Sequence, residues 1–321
     1  MITVAFSTRN GARTLPRMLA ALGGLTPPDG GWCLVAVDNG STDATPGLLA
    51  DASASLPLTV LQEPQAGKNR ALNRALDHIQ GDLLVLTDDD IVPDADWLVR
   101  LAGAARLHPE RDVFGGTIRP VWPSPPPAWL TDAGMPLHVL YALADRPSGA
   151  CAPEDIYGPN MAVRASLFHG GLRFNPAVGP DGTARYAMGS ETELLTRLAR
   201  AGHTAWFAAE AVVGHQVRPE QMERDWVLGR SYRHGFGVGR RPEPPMVDAA
   251  PVIAGRSLTF EGRRAALNVL AALSALLPPE PRRFWWRYRA AWLNGLAEGV
   301  AVARAESAAA RPAAQPVAGR S

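Results

Sequence analysis

Cysteine is scarce in this sequence, and long apolar runs are missing. The 321 residues include two cysteines, Cys33 in an apolar run and Cys151 in a predicted loop, which favours a reducing compartment over a disulfide framework. Apolar runs stay short of the about 20 residues that a transmembrane helix needs. Residues 2–6 have a strand pattern, so we expect no secretory leader and a cytoplasmic protein.

An excess of charge of either sign is also lacking. The formal net charge is +1, from 32 basic and 31 acidic residues. This balance produces no overall field that would attract nucleic acid, and we expect no nucleic-acid partner. Lys68 is the only lysine, all other basic residues being arginines.

In the first half of the chain, short apolar runs alternate with helical patterns. The predicted strands are residues 2–6, 32–37, 58–61 and 83–87, and the helices between them are 15–22, 45–52 and 69–79. This alternation predicts an α/β fold with a mostly parallel sheet covered by helices. Ligands of such sheets bind beyond the carboxyl ends of the strands.

The second half is less regular. We expect a helix beginning near Glu191 and short strands at residues 205–208 and 211–214. Proline-rich segments at 120–136 and 242–251 interrupt the pattern. We predict a catalytic domain over residues 1–240, a helical extension over 241–307 and a disordered tail over 308–321.

Three consecutive carboxylates, Asp88, Asp89 and Asp90, follow the fourth predicted strand. Crowded like charges raise one another's pKa or recruit a cation. Oxygen ligands suit Mg²⁺ or Mn²⁺, which bridge carboxylates to phosphates. The alternative is the cap of the helix that follows, although Asp94 can cap that helix alone.

A second polar cluster, residues 38–43, follows the second predicted strand. The carboxylate of Asp38 can accept hydrogen bonds from a ribose hydroxyl or a base N–H. A turn followed by a helix cap explains the same residues, since Asn39-Gly40 and Asp43 are typical of such turns. Both interpretations stay open on the residues alone.

The order and spacing of these motifs resemble family 2 glycosyltransferases, which have the GT-A fold, a Rossmann-like nucleotide-binding mixed sheet flanked by helices. The resemblance covers residues 2–232. The matching segments are Ser-Thr-Arg-Asn at 7–10, Val-Asp-Asn-Gly-Ser-Thr-Asp at 37–43, Gly-Lys-Asn-Arg-Ala-Leu-Asn at 67–73, Thr-Asp-Asp-Asp at 87–90, Gly-Pro-Asn-Met-Ala-Val-Arg at 158–164, Gly-Ser-Glu-Thr-Glu-Leu at 189–194 and Val-Gly-His at 213–215.

The resemblance implies a donor site and a metal site. Asp90 is the expected direct ligand of Mg²⁺ or Mn²⁺, with Asp88 from the same motif and His215 completing the shell. Lys68 stands at a predicted helix N-terminus, where charge and backbone N–H groups favour an anion. The residues expected to bind the nucleotide-sugar donor are Thr8, Asn10, Asp38, Lys68, Asp88, Asp89 and Arg224.

The resemblance also implies a catalytic base at the start of the helix near residue 191. Inverting transfer needs a carboxylate that takes the acceptor's proton, and Glu191 is the candidate. This chain has Glu-Thr-Glu where the family has Glu-Asp, so Glu193 stays an alternative. Favourable charge at a helix N-terminus explains both glutamates without catalysis.

Trp129 and Tyr157 are candidates for the acceptor pocket, although both are equally typical of core residues. Residues 221–226, Gln-Met-Glu-Arg-Asp-Trp, nearly match the Gln-x-x-Arg-Trp motif of processive family members. One additional residue precedes the tryptophan and membrane helices are not predicted, which favours a non-processive enzyme. Besides Arg224, Arg230 or Arg233 could hold the diphosphate.

We therefore predict inverting, metal-dependent transfer of a hexosyl group from a nucleotide-diphosphate sugar to a saccharide or lipid-linked acceptor, in the manner of cell-envelope polysaccharide synthesis. A UDP-sugar is favoured on family grounds. The alternatives are a sugar-1-phosphate nucleotidylyltransferase and an inactive GT-A-like binding module.

Residues 282–289 together with Trp292 combine four arginines with five aromatic residues. This combination is typical of the headgroup layer of a membrane. The preceding predicted helix, 264–277, is too short to span a bilayer. We predict peripheral contact with the inner membrane face through the C-terminal helices; packing on the catalytic domain or on a second subunit is the alternative.

Overall fold

The computed structural model describes residues 1–131, 134–241, 252–253, 256–257, 259–276 and 281–309. The predicted proline-rich break at 242–251 and residues 310–321 of the predicted tail lie outside the described residues. The chain divides into two compact units, Met1–Val227 and Leu228–Ser321. The predicted boundary at residue 240, between the catalytic domain and the helical extension, stays a prediction.

Strands and helices are numbered separately, each in chain order. The strands are β1 (Ile2–Thr8), β2 (Trp32–Asp38), β3 (Leu58–Gln62), β4 (Leu83–Leu86), β5 (Ile91–Pro93), β6 (Val113–Val121), β7 (Gly149–Cys151), β8 (Met161–Arg164), β9 (Ala205–Gln216), β10 (Val252–Ile253) and β11 (Arg256–Ser257). The helices are α1 (Leu15–Gly23), α2 (Thr45–Ala52), α3 (Lys68–Leu76), α4 (Trp97–Leu107), α5 (Ala128–Thr131), α6 (Leu137–Tyr141), α7 (Ala165–His169), α8 (Ser190–Arg200), α9 (Arg224–Gly239), α10 (Phe260–Ala275) and α11 (Pro281–Ala309).

The first half of the main sheet is parallel, in the order β3-β2-β1-β4. Its central strands are apolar on both faces, and Val4, Ala5 and Phe6 of β1 are fully buried, which is typical of parallel strands covered by helices. The register pairs Thr8 with Asp38. The polar ends of β1 and β2 therefore lie side by side, and the prediction for this half is confirmed.

The second half of the sheet is mixed rather than parallel. β8 is antiparallel to both β4 and β6, while β6 and β9 are parallel and β5 and β7 are antiparallel to β9. The two strands predicted at 205–208 and 211–214 are one strand, β9. The register against β6 shifts between Gly116 and Thr117, and this irregularity interrupts the sequence pattern without ending the strand.

Strand β5 was not predicted, because residues 91–93 read as the approach to a helix. Ile91 pairs with His215 of β9, and α4 begins only at Trp97. Three residues give too little periodicity to identify a strand from sequence. This short pairing matters for the site, because it places Asp90 beside the end of β9.

In the second unit, glycines allow two helices to approach closely. A β-carbon at Gly295 would overlap the carbonyl oxygen of Tyr232, and one at Gly299 would overlap that of Phe236. Gly235 and Gly239 leave the matching room on α9, facing Trp292 and Leu296. The pattern resembles the small-residue packing of membrane helices, yet none of the described helices is long and apolar enough to cross a membrane.

Replacing Gly295 with alanine should destabilise this packing by about 1–3 kcal/mol, because the added methyl has no room between the backbones. Gly103→Ala is the matched control: Gly103 is also inside a helix, and a β-carbon there has open space. That change should stabilise the protein by about 0.5–1 kcal/mol. Calorimetric melting measures both, and a Gly295→Ala protein that melts at or above wild type would contradict the close approach.

Candidate active site

The acidic triplet lies in the turn between β4 and β5, at the carboxyl end of the parallel strands. One ligand atom from each of Asp88, Asp90 and His215 lies within 4.8 Å of the others. Asp90 and His215 are buried. The structure thus brings together all three residues of the predicted metal site.

Asp90 is the centre of a charged group. Its Oδ1 lies 3.0 Å from His215 Nε2, and its Oδ2 lies 3.4 Å from Arg218 Nη1. Burial works to raise the pKa of Asp90, but the charges of His215 and Arg218 outweigh it and lower the pKa. The carboxylate form is therefore favoured, as a metal ligand requires.

His215 is oriented by a backbone carbonyl. Its Nδ1 donates to the carbonyl oxygen of Tyr141 over 2.6 Å, which directs Nε2 towards Asp90. Burial lowers the pKa of His215, but the charge of Asp90 outweighs it and raises the pKa. A metal-binding histidine is commonly held in this way by its second nitrogen.

Asp89 faces a different environment from its neighbours. It accepts a hydrogen bond from Thr8 Oγ1, and burial, followed by the charge of Asp90, raises its pKa to about 7. Asp89 lies outside the three-residue cluster. Thr8, which was predicted to contact the nucleotide-sugar donor, is itself buried.

The single lysine bridges two carboxylates. Lys68 Nζ lies 2.6 Å from Asp88 Oδ1 and 2.6 Å from Glu191 Oε1. Burial lowers the pKa of Lys68, but the charges of Asp88 and Glu191 outweigh it and raise the pKa above its ordinary value. Lys68 is the first residue of α3, so one ammonium connects the acidic turn with the start of α8.

The two glutamates at the start of α8 point to different neighbours. Glu191 reaches Lys68, and Gly158 leaves room for it: a β-carbon there would lie 2.7 Å from Glu191 Cδ. Glu193 instead pairs with Arg197 one turn along the helix, at 2.9 and 3.0 Å. Only Glu191 therefore takes part in the contacts described for the acidic turn.

The loops that follow β1 and β2, where donor-binding residues were predicted, are held by hydrogen bonds within and between them. Asp38 Oδ1 accepts from the backbone N–H of Ser41 at 3.0 Å. Asn10, which has a left-handed φ of 56°, accepts from the N–H of Thr42 at 2.8 Å through Oδ1. Asn10 thus positions the loop that follows Asp38.

Asn39 is a residue whose importance the sequence analysis missed, because Asn-Gly is so typical of turns. Its Oδ1 accepts from the N–H of Gly67 at 2.8 Å, and its Nδ2 donates to the carbonyls of Glu63 and Gln65 at 2.8 and 2.7 Å. Asn39 therefore fixes the segment that delivers Lys68.

The same motif ties α3 to the segment before α8. Asn69 Nδ2 donates to the carbonyl of Asn175 at 2.7 Å. Asn73 both donates to the carbonyl of Phe174 and accepts from its N–H, each at 2.8 Å. The spacing of Asn69 and Asn73 was the available signal, since side chains four residues apart share a helix face.

Arg218 was also missed, and the role in holding the diphosphate that was expected of Arg224, Arg230 or Arg233 stays a prediction. Arg218 is three residues beyond His215 and contacts Asp90. Arg224 stacks over the ring of Trp129, 5.1 Å from its centroid. Arg230 and Arg233 belong to the second unit.

Two residues of the near-match to the processive motif, Gln221 and Trp226, contact Tyr141, the residue that orients His215. Tyr141, whose carbonyl holds His215, donates its hydroxyl to the carbonyl of Gln221 at 2.8 Å. Its ring stacks on Trp226 with centroids 5.8 Å apart. Of the two predicted acceptor aromatics, Trp129 lies under Arg224, and Tyr157 packs against the core beside Gly158.

The ligand atoms of Asp88, Asp90 and His215 fit a divalent cation. They combine two carboxylates with an imidazole, ligand types that Mg²⁺ and Mn²⁺ accept. Asp90 Oδ1 is buried; among the described residues its close polar neighbour is His215 Nε2 at 3.0 Å, which lacks the alignment of a hydrogen bond. A buried carboxylate oxygen of this kind is costly unless a charge compensates it.

The comparison with protein families decides the question of membership. The model of glycosyl transferase family 2 matches residues 3–169, which is more than half of the chain. The chain belongs to glycosyl transferase family 2. The matched range contains five of the seven segments that carried the resemblance, and the identification made from the sequence is confirmed.

Two curated relatives of this family 2 chain have names that state an activity or a biosynthetic process. The succinoglycan biosynthesis protein ExoM of Rhizobium meliloti is 28% identical over 213 residues, 64% of each chain. The glucosyl-dolichyl phosphate glucuronosyltransferase of Haloferax volcanii is 23% identical over 159 residues, 49% of this chain and 50% of that protein. The chain thus spans between half and about two thirds of their lengths.

A solved structure shows the same fold. The mannosyltransferase PcManGT of Pyrobaculum calidifontis, in complex with GDP-Man and Mn²⁺, has a TM-score of 0.62 over 93% of this chain and 86% of that chain. The sequence identity is 21%, so the likeness concerns the fold alone. The predicted GT-A fold with a helical C-terminal region is confirmed.

Proposed function

We propose that this family 2 chain transfers a hexosyl group, with inversion and with a divalent cation, from a nucleotide-diphosphate sugar to a saccharide or lipid-linked acceptor. The observation that carries the proposal is Lys68, which bridges Glu191 to Asp88 of the carboxylate–histidine cluster. A candidate base, a cation for phosphate and a metal site are thereby joined by direct contacts.

The reaction breaks the bond from the anomeric carbon to a diphosphate oxygen and forms a bond from that carbon to the acceptor oxygen. Glu191 takes the hydroxyl proton of the acceptor, which attacks from the face opposite the diphosphate and so inverts the configuration. Lys68 and Arg218 present positive charge to the departing diphosphate. Asp88, Asp90 and His215 would hold Mg²⁺ or Mn²⁺, which would supply a Lewis acid for the same charge.

The donor belongs to the nucleotide-diphosphate sugars, with a UDP-sugar favoured. Asp38 is buried at the end of β2, where an acidic residue can accept from a ribose hydroxyl or a base N–H. Because PcManGT was solved in complex with GDP-Man, a GDP-sugar is the principal alternative to a UDP-sugar as the donor.

A lipid-linked acceptor is supported by the name of the Haloferax relative, in which a sugar is joined to dolichyl phosphate. The name of ExoM supports a part in polysaccharide assembly. Work at the cytoplasmic membrane face, with contact through the C-terminal helices, belongs to the same proposal.

Thermal melting with a panel of nucleotides, with and without Mn²⁺, tests the donor and the metal together. A ligand at 100 times its dissociation constant stabilises the folded state by about 2.7 kcal/mol, so UDP with Mn²⁺ should raise the melting temperature clearly. Arg218→Ala should weaken this stabilisation. Arg106→Ala, which removes an exposed arginine paired with Asp29, is the matched control and should leave it nearly unchanged.

The same panel distinguishes the alternatives. Stabilisation by nucleoside triphosphates and sugar-1-phosphates, but not by diphosphates, would favour a nucleotidylyltransferase. Nucleotide binding with no transfer to any acceptor would favour an inactive binding module. If no nucleoside diphosphate stabilises the protein with Mn²⁺ present, the proposed donor is wrong.

A further inference from the structure

The near-zero charge of the whole chain hides a separation between its two units. Residues 228–321 contain 14 arginines and six acidic residues, a net charge of +8, so residues 1–227 carry −7 of the chain's total of +1. Charge of one sign in one unit produces a local field even when the total cancels. The second unit is therefore attracted to anionic surfaces.

The second unit also exposes an apolar face on α10. Val269, Leu270, Leu273 and Leu276, the last just beyond the helix, are 58%, 37%, 53% and 82% exposed. We call these four residues the α10 stripe. Residues 265–276 include no charged residue, so nothing polar but Asn268 and Ser274 interrupts this part of the helix.

The α10 stripe is not a general property of the surface. Among the described residues six large apolar side chains are classed as exposed, and four of them form the stripe. The opposite side of α10 is used for packing: Leu267 joins the apolar cluster of α11, and Asn268 and Asn294 exchange hydrogen bonds of 3.0 and 2.9 Å. One face of α10 is thus packed against α11 while the other is left to solvent.

The structure changes which residues are available to a membrane. Phe284 and Tyr288, two of the five aromatic residues predicted to meet it, are buried, and the carbonyl of Tyr288 accepts from Ser231 Oγ at 2.8 Å. Arg289 lies 5.8 Å from the ring centroid of Trp285 and 5.7 Å from that of Trp292. The aromatic residues of α11 therefore serve largely to pack and to hold arginines.

We propose that the α10 stripe inserts into the interface of an anionic lipid bilayer, with the arginines of the second unit binding the lipid headgroups. This inference rests on the proposed function and names the surface and the lipid charge. Apolar side chains beside basic ones have the chemistry of an interfacial membrane helix. A second copy of the same unit is disfavoured as the occupant, because both copies carry +8.

Co-sedimentation of the full chain with vesicles tests the proposal. Wild type should bind vesicles of phosphatidylcholine mixed with phosphatidylglycerol at low salt, should bind less at high salt, and should bind phosphatidylcholine alone far more weakly. Leu273→Asp with Leu276→Asp should lower binding by about tenfold or more, because the change removes apolar contact and adds negative charge. Leu107→Asp is the matched control, since Leu107 is 77% exposed in the first unit.

Each outcome decides the matter. Binding that is absent from anionic vesicles at low salt, unaffected by the double substitution, or equally reduced by Leu107→Asp would overturn the proposal. A wild-type dimer that the double variant converts to monomer, in sedimentation velocity, would assign the stripe to a second copy instead. Nucleotide-dependent melting of the same variants keeps the two proposals apart, since the α10 stripe is not part of the proposed donor site.

Discussion

Glu191→Gln is expected to lower turnover by on the order of a hundredfold or more, the scale of losing a general base. Glutamine keeps the size of the side chain, so it can still fill the space that Gly158 leaves. It cannot accept the proton of the acceptor. Donor binding should change little, and a single-turnover assay with a saturating donor measures the chemical step alone.

The control for this prediction is on the same helix. Glu193→Gln removes a carboxylate that pairs with Arg197 on the surface of α8, and such exposed pairs contribute little. It should leave turnover within a few-fold of wild type. If Glu193→Gln abolished transfer while Glu191→Gln did not, the contact of Glu191 with Lys68 would have no catalytic meaning.

Asp90→Asn is expected to abolish turnover and to remove the effect of Mn²⁺ on nucleotide binding. The substitution neutralises the carboxylate that His215 and Arg218 both contact, so the cluster loses a ligand and a charge. The proposed leaving group then lacks its Lewis acid. Transfer assays and melting curves, each with and without Mn²⁺, measure the two effects.

Asp96→Asn is the matched control for Asp90→Asn. Asp96 is a half-exposed carboxylate paired with Arg100 on the surface of α4, and its loss should change neither turnover nor metal dependence. Circular dichroism establishes that both variants fold. An Asp90→Asn protein that is fully active in the presence of a chelator would end the metal hypothesis.

The sequence by itself determined the fold class and the rim on which the site lies. Apolar runs alternating with helical patterns specify a covered parallel sheet, and the carboxyl ends of its strands must meet at one edge. The polar residues after β1, β2 and β4 were therefore predictable as neighbours. Together with the family resemblance, their types, two acidic clusters and one lysine, indicated a nucleotide and a cation before any contact was known.

Only the tertiary structure decided which of these residues touch. Lys68 and Glu191 are separated by 123 residues, and no local pattern distinguishes Glu191 from Glu193. The three-residue strand β5, too short to show a period, places Asp90 beside His215 and Arg218. Contacts of this kind depend on the pairing of distant strands and on helix rotation, which local periodicity does not encode. The same is true of the α10 stripe, because a sequence shows that a helix is apolar, whereas the packing of its neighbours leaves one face exposed.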